Sequence, residues 1–115
     1  MEWDFLVAKA IKAKEHAYAP YSGFRVGAAV LTHSEKTFVG CNVENASYGA
    51  AICAERVAIS QAVSEGETLI KAIAVTGDSN EIVFPCGICR QVFTEFCNSE
   101  TVIICSNKKG EYRVY

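Results

Sequence analysis

Two short segments, residues 72–75 (Ala-Ile-Ala-Val) and 102–104 (Val-Ile-Ile), are apolar at every position. A strand that is apolar on both alternating faces must be covered on both, so helices have to pack on each side of its sheet. The remaining pattern supplies those helices. Residues 3–18 read as an amphipathic helix with Trp3, Leu6, Val7, Ala10, Lys14 and Ala17 on one face, Lys14 being the single polar member. Pro20 stops it, and Tyr21-Ser22-Gly23 makes a loop. Residues 24–31 and 37–43 read as strands joined by a hairpin turn over 33–36. A polar loop over 44–49 leads to a helix over residues 52–65, a strand over 71–76 and a loop over 77–85. A third helix runs from 87 to 96 or 97, followed by strands over 101–106 and 111–115 with a turn through Asn107 and Gly110. The order α-β-β-α-β-α-β-β predicts an α/β fold, a three-layer α/β/α sandwich around a mixed five-stranded sheet. At 115 residues, with no repeat or linker, residues 1–115 are expected to form one domain.

Charge removes several functions. Eleven Lys and Arg against thirteen Asp and Glu leave a net of −2. That is no basic excess with which to neutralise phosphates, so nucleic acid is not an expected partner. No apolar run approaches the roughly 18 residues of a membrane span, and Glu2 and Asp4 stand where a signal peptide would be basic. A cytoplasmic protein with no membrane partner is expected. Six cysteines in a reducing compartment are metal ligands, catalytic thiols or buried apolar residues rather than disulfides.

Their positions separate these roles. Cys53 opens one internal helix within Ile52-Cys53-Ala54-Glu55-Arg56, and Cys86 and Cys89 open the other within Pro85-Cys86-Gly87-Ile88-Cys89-Arg90. Unpaired N–H groups and the positive end of the helix dipole stabilise thiolates at such starts. Three thiolates make a Zn²⁺ site, one per chain, with a fourth position open to water. Zinc lowers the pKa of bound water toward ~7 in favourable sites, but three thiolates leave one excess negative charge that blunts the effect. Arg56 returns positive charge to the sulfurs in this reading, with Gln91 as a second contributor. Glu55, two residues beyond Cys53, has no need to bind the metal. It is placed to take a proton from water and pass it to a substrate nitrogen and then to a leaving amine.

Blander readings compete. A lone Cys-x-x-Cys at a helix start is a thioredoxin-type redox signal, and a closed structural zinc site needs a fourth ligand. His16 and His33 have no ligand spacing to another candidate, and the pairing of Cys-Ala-Glu with Pro-Cys-Gly-Ile-Cys argues against both alternatives. Cys41, Cys97 and Cys105 fall inside predicted elements and read as buried thiols.

Four ordered blocks carry a resemblance across almost the whole chain. They are Ala19-Pro20-Tyr21-Ser22-Gly23-Phe24-Arg25-Val26-Gly27-Ala28-Ala29, Gly40-Cys41-Asn42-Val43-Glu44-Asn45-Ala46-Ser47-Tyr48, and the two cysteine blocks, the second continuing Arg90-Gln91-Val92. The sequence resembles the small, homotetrameric, zinc-dependent cytidine deaminases of pyrimidine salvage. That resemblance implies a nucleoside substrate, with Phe24 packed on the pyrimidine and Asn42 and Glu44 on the ribose hydroxyls. The Ala54 backbone and Glu55 then contact the base near the reacting carbon. Ala46 and Tyr48 reach a neighbouring subunit's site, so a homotetramer with shared active sites is implied. On the residues alone, Phe24 is equally core, Asn42 a turn residue and Tyr48 a packing residue of its own subunit.

The family's chain continues past the last strand to a terminal aromatic that helps cover a neighbour's pocket. Here the sequence stops at Tyr115, so that extension is expected to be missing, with Tyr112 or Tyr115 as candidate replacements. The expected reaction is hydrolysis of cytidine and deoxycytidine to uridine and deoxyuridine with release of ammonia. Two alternatives are deamination of a modified or antibiotic-like aminopyrimidine nucleoside, and a non-catalytic zinc domain that binds nucleosides or a partner.

Overall fold

The computed structural model describes residues 2–115. Five strands form one sheet: β1 (Val26–Thr32), β2 (Thr37–Cys41), β3 (Ile70–Gly77), β4 (Val102–Ser106) and β5 (Tyr112–Val114). Their order is β2-β1-β3-β4-β5, with β3 and β4 parallel and every other neighbouring pair antiparallel. Helix α1 (Asp4–Lys14) covers one face, and α2 (Ala54–Ser64) and α3 (Gly87–Phe96) cover the other. The three-layer sandwich with a mixed five-stranded sheet is therefore the observed fold. Among the described residues, no helix is long and apolar enough to cross a membrane.

Strand alternation divides the core. From β1, Ala28 and Val30 face α2 and α3, while Ala29 and Leu31 face α1. From β3, Ile73 faces α2 and α3, and Ala72 and Ala74 face α1. Small residues bring the layers unusually close. A Cβ at Gly27 would lie 2.0 Å from the carbonyl oxygen of Ala10, and one at Gly40 would lie 2.6 Å from both the carbonyl oxygen of Ala54 and the amide of Ala58. Gly40 thus seats the first turn of α2 directly on β2.

Several element boundaries differ from the sequence pattern. The first helix ends at Lys14, because residue 18 is drawn off into a bridge with Val43. The Tyr18 amide donates to the Asn42 carbonyl at 3.0 Å, and the Tyr18 carbonyl accepts from Glu44 at 2.8 Å. Strand β1 begins at Val26 rather than at residue 24, because the Asn42 side chain takes the place of a partner strand there. Its Oδ1 accepts from the Val26 amide at 2.9 Å and its Nδ2 donates to the Phe24 carbonyl at 3.0 Å. A short 3-10 turn, Tyr48–Ala50, lies within the polar loop. Of the thiols read as buried, Cys105 is, whereas Cys41 and Cys97 are half-buried.

Lys14, the polar intruder on the apolar face of α1, is buried as that face requires. Its ammonium meets Asp78 Oδ1 at 2.9 Å.

Candidate active site

Helices α2 and α3 start at the same end of the sheet, and their first residues meet. Cys53 immediately precedes α2 and Cys86 immediately precedes α3, both with extended backbone, and neither sulfur caps its own helix. Cys89 lies one turn into α3 and is fully buried. The three sulfurs lie within 4.8 Å of one another, with Cys53 Sγ to Cys86 Sγ at 3.5 Å and Cys86 Sγ to Cys89 Sγ at 3.3 Å. Tetrahedral zinc with bonds of ~2.3 Å sets sulfurs roughly 3.8 Å apart, so this donor set fits a zinc ion.

The surrounding charges favour metal over free thiols. Without a metal, the Cys53 thiol is pulled well below its ordinary value, first by a hydrogen bond from Cys89 and then by Arg56. The Cys89 thiol is driven up as that donor, and by burial. A cation bound by all three sulfurs would take the place of these protons. Arg56 Nη2 donates to Cys53 Sγ at 3.8 Å, while its buried Nε has no hydrogen-bond partner among the described residues. Arg56 therefore brings positive charge to the cluster. Gln91 does not reach it: its exposed amide donates to Thr94 Oγ1 at 3.3 Å, on the solvent side of α3.

Glu55, in the first turn of α2, is 3% exposed. Burial pushes its carboxyl above the usual range, and the neighbouring Cys53 adds to the rise. It borders a cavity of about 490 Å³ that also touches Cys53, Cys86 and Arg56. Phe24, Asn42, Glu44, Tyr48 and Ala54 line the same cavity, so distant blocks of the sequence converge on it. Ala46 does not line it and is exposed, and Tyr48 is 88% exposed.

The polar wall is already organised. Glu44 Oε1 accepts from the amides of Tyr21 and Ser22 at 3.0 Å each, and its other oxygen accepts from the Ser22 hydroxyl. Those bonds, the Ser22 hydroxyl first, lower the Glu44 carboxyl below its ordinary value. Asn42 spends one donor and one acceptor on Phe24 and Val26, leaving one N–H and one lone pair for a ligand. Val83 and Phe84 also line the cavity, and the sequence pattern did not nominate them. They sit in a stretch that reads only as a loop, with no chemical signature to mark them.

Residues 1–105 match the cytidine and deoxycytidylate deaminase zinc-binding region. A cytidine deaminase of Sporosarcina psychrophila is 47% identical over 111 residues, covering 96% of this chain and 82% of that protein. One from Halalkalibacterium halodurans is also 47% identical, covering 96% of this chain and 84% of its own. Among solved structures, the crystal structure of cytidine deaminase from Burkholderia pseudomallei superposes with a TM-score of 0.91 at 44% identity. That superposition covers 100% of this chain and 92% of the other.

Proposed function

The chain belongs to the cytidine and deoxycytidylate deaminase family with its zinc-binding region, and from that premise we propose how its residues divide the work. The reaction is the zinc-dependent hydrolysis of cytidine, and of deoxycytidine, to the uracil nucleoside and ammonia. Cys53, Cys86 and Cys89 hold one zinc ion per chain. When bound, zinc supplies an acidified water as the nucleophile for C4 of the base.

Glu55 is the proton carrier. It takes a proton from the attacking water, delivers it to N3 of the ring and then carries the water's second proton to the departing amine. Its burial suits this task, because a carboxyl that is costly to ionise takes up a proton more readily than an exposed one. Phe24 packs on the pyrimidine, the Ala54 backbone reads the base edge, and Asn42 and Glu44 hold the ribose hydroxyls. Arg56 offsets the excess thiolate charge, and Gln91 assists only if its amide turns from Thr94. The observation that carries this reading is the buried carboxyl of Glu55 beside three converging sulfurs, at the wall of a nucleoside-sized cavity.

Residues 1–115 act as a single domain, and the active assembly is a homotetramer in which Ala46 and Tyr48 serve a neighbour's cavity. The exposure of both residues supports this, Tyr48 lining its own chain's cavity as well. The Tyr115 ring packs edge-on against Phe84 of the cavity wall, with centroids 5.6 Å apart. Dependence on three reduced thiolates suits the cytoplasm.

The test is an ultraviolet time course with cytidine on the zinc-loaded protein, beside Glu55→Gln. Absorbance should fall with release of ammonia, and the variant should lose about 100-fold to 10,000-fold in kcat while keeping its zinc. Near-normal turnover by the variant removes Glu55 from the mechanism.

A further inference from the structure

Phe24 lines the cavity, yet it belongs to no strand or helix, so something must hold its ring in place. Two groups act on its own side of the loop: Ser22 Oγ accepts from the Phe24 amide at 3.0 Å, and the Asn42 side chain holds the Phe24 carbonyl at 3.0 Å. The remaining support comes across the sheet from the end of β3. The ring lies against Gly77, where a Cβ would come within 2.8 Å of Phe24 Cε2 and 2.9 Å of Cζ. The next residue, Asp78, grips Arg25, the residue after Phe24. Its amide donates to the Arg25 carbonyl at 3.0 Å, and its Oδ2 accepts from the Arg25 amide at 3.2 Å and from Nε at 2.7 Å. Its Oδ1 accepts from Arg25 Nη2 at 3.2 Å and from the buried Lys14 ammonium at 2.9 Å.

We propose that Asp78 is a positioning residue for substrate binding, fixing the Phe24 ring over Gly77 through its grip on Arg25. An exposed ion pair alone would do little. This one is two-pronged, is joined by bonds to the same residue's backbone, and is anchored from behind by a lysine of α1. It ties the last turn of α1, the end of β3 and the loop that carries Phe24 to a single carboxylate. The proposal rests on Phe24 being the wall on which the base packs.

The test uses the zinc-loaded protein and initial rates with cytidine. Asp78→Asn and Arg25→Gln should each raise KM about fivefold, with kcat within about twofold and zinc content unchanged. Arg25→Lys, which keeps the charge and loses the fork, should fall between them and the parent. Lys14→Met should lower the melting temperature and leave KM as it was, because Arg25 still holds both oxygens. Combining Asp78→Asn with Phe24→Leu should give no higher KM than Phe24→Leu alone, since no ring is left to position. If Asp78→Asn lowers only the melting temperature, as Lys14→Met does, the residue is structural and the proposal fails. It fails equally if the effects on KM multiply in the double variant. If Phe24→Leu itself leaves KM unchanged, Phe24 is not the wall, and the proposal falls with that reading.

Discussion

Helix α1 and the α2–α3 pair cover opposite faces of one sheet with similar aliphatic side chains, yet it is the second face that opens into the candidate site. Under α1, Leu6, Val7 and Ala10 close over Ala29, Leu31, Ala72 and Ala74, and the one buried charge, Lys14, is answered by Asp78. Under α2 and α3 the middle is as apolar, with Ala58, Ile59 and Phe93 over Val30 and Ile73. At its end, however, two helix starts converge, and there the core gives way to three sulfurs, Arg56 and Glu55. A helix flank packs, whereas a helix start has spare N–H groups and a positive field that stabilise thiolates and a carboxylate. Which part of a helix faces its neighbour decides whether a face is ballast or chemistry.

Substitutions on the two faces should therefore fail differently. Cys89→Ser should have the largest effect, abolishing turnover and taking the bound zinc with it, measured as metal per chain after dialysis. Retained zinc with normal activity would show that the buried sulfur is packing and not a ligand. On the opposite face, Leu6→Ala should cost about 2–5 kcal/mol of stability by denaturant unfolding, with kcat and KM intact in the folded fraction. A change in KM there would mean that the faces are not independent.

Arg56→Ala should be smaller still, weakening zinc retention about tenfold against a chelator, as befits a group supporting the ligands from outside. Wild-type retention and turnover would end the idea that it compensates thiolate charge. The gentlest test concerns acid. Asp78 is held well below the usual carboxylate range, first by Arg25 and then, against burial, by Lys14. A depressed carboxyl adds stability that is fully present above its unfolded value and is lost as pH falls toward the folded one. Asp78→Asn should cost about 1 kcal/mol at neutral pH and shrink the loss of stability between about pH 5 and pH 3. An unchanged acid profile would remove the ion pair from the stability of the α1 face.

The sandwich was legible because residues 72–75 and 102–104 are apolar on both sides, a demand only two helical layers can meet. The cysteine cluster was legible because its chemistry is local, a cysteine at a helix start being its own signal. What escaped reading depends on partners far apart in the chain. Lys14 looked like a flaw in an apolar face until Asp78 arrived beside it. Residues 15–18 kept a helical pattern that backbone bonds to Asn42 and Glu44 override. Val83 and Phe84 carry no mark, because lining a cavity asks only for bulk in the right place. Gln91 shows the opposite case: adjacency to a cysteine-bearing segment suggested a role, whereas its exposed amide donates to Thr94 Oγ1.

The contact between Gly40 and the first turn of α2 has a consequence for anyone reshaping the cavity to take larger nucleosides. There is no slack at that seam, since even a methyl group would meet backbone atoms of Ala54 and Ala58. Movement there would carry Cys53 and Glu55 with it, changing reactivity along with fit. Across the cavity, Phe84 is half exposed on a loop and contacts Tyr115 rather than a helix backbone. The molecule therefore has a hard jaw and a soft one, and variants selected for new substrates should accumulate changes on the soft side while Gly40 stays glycine.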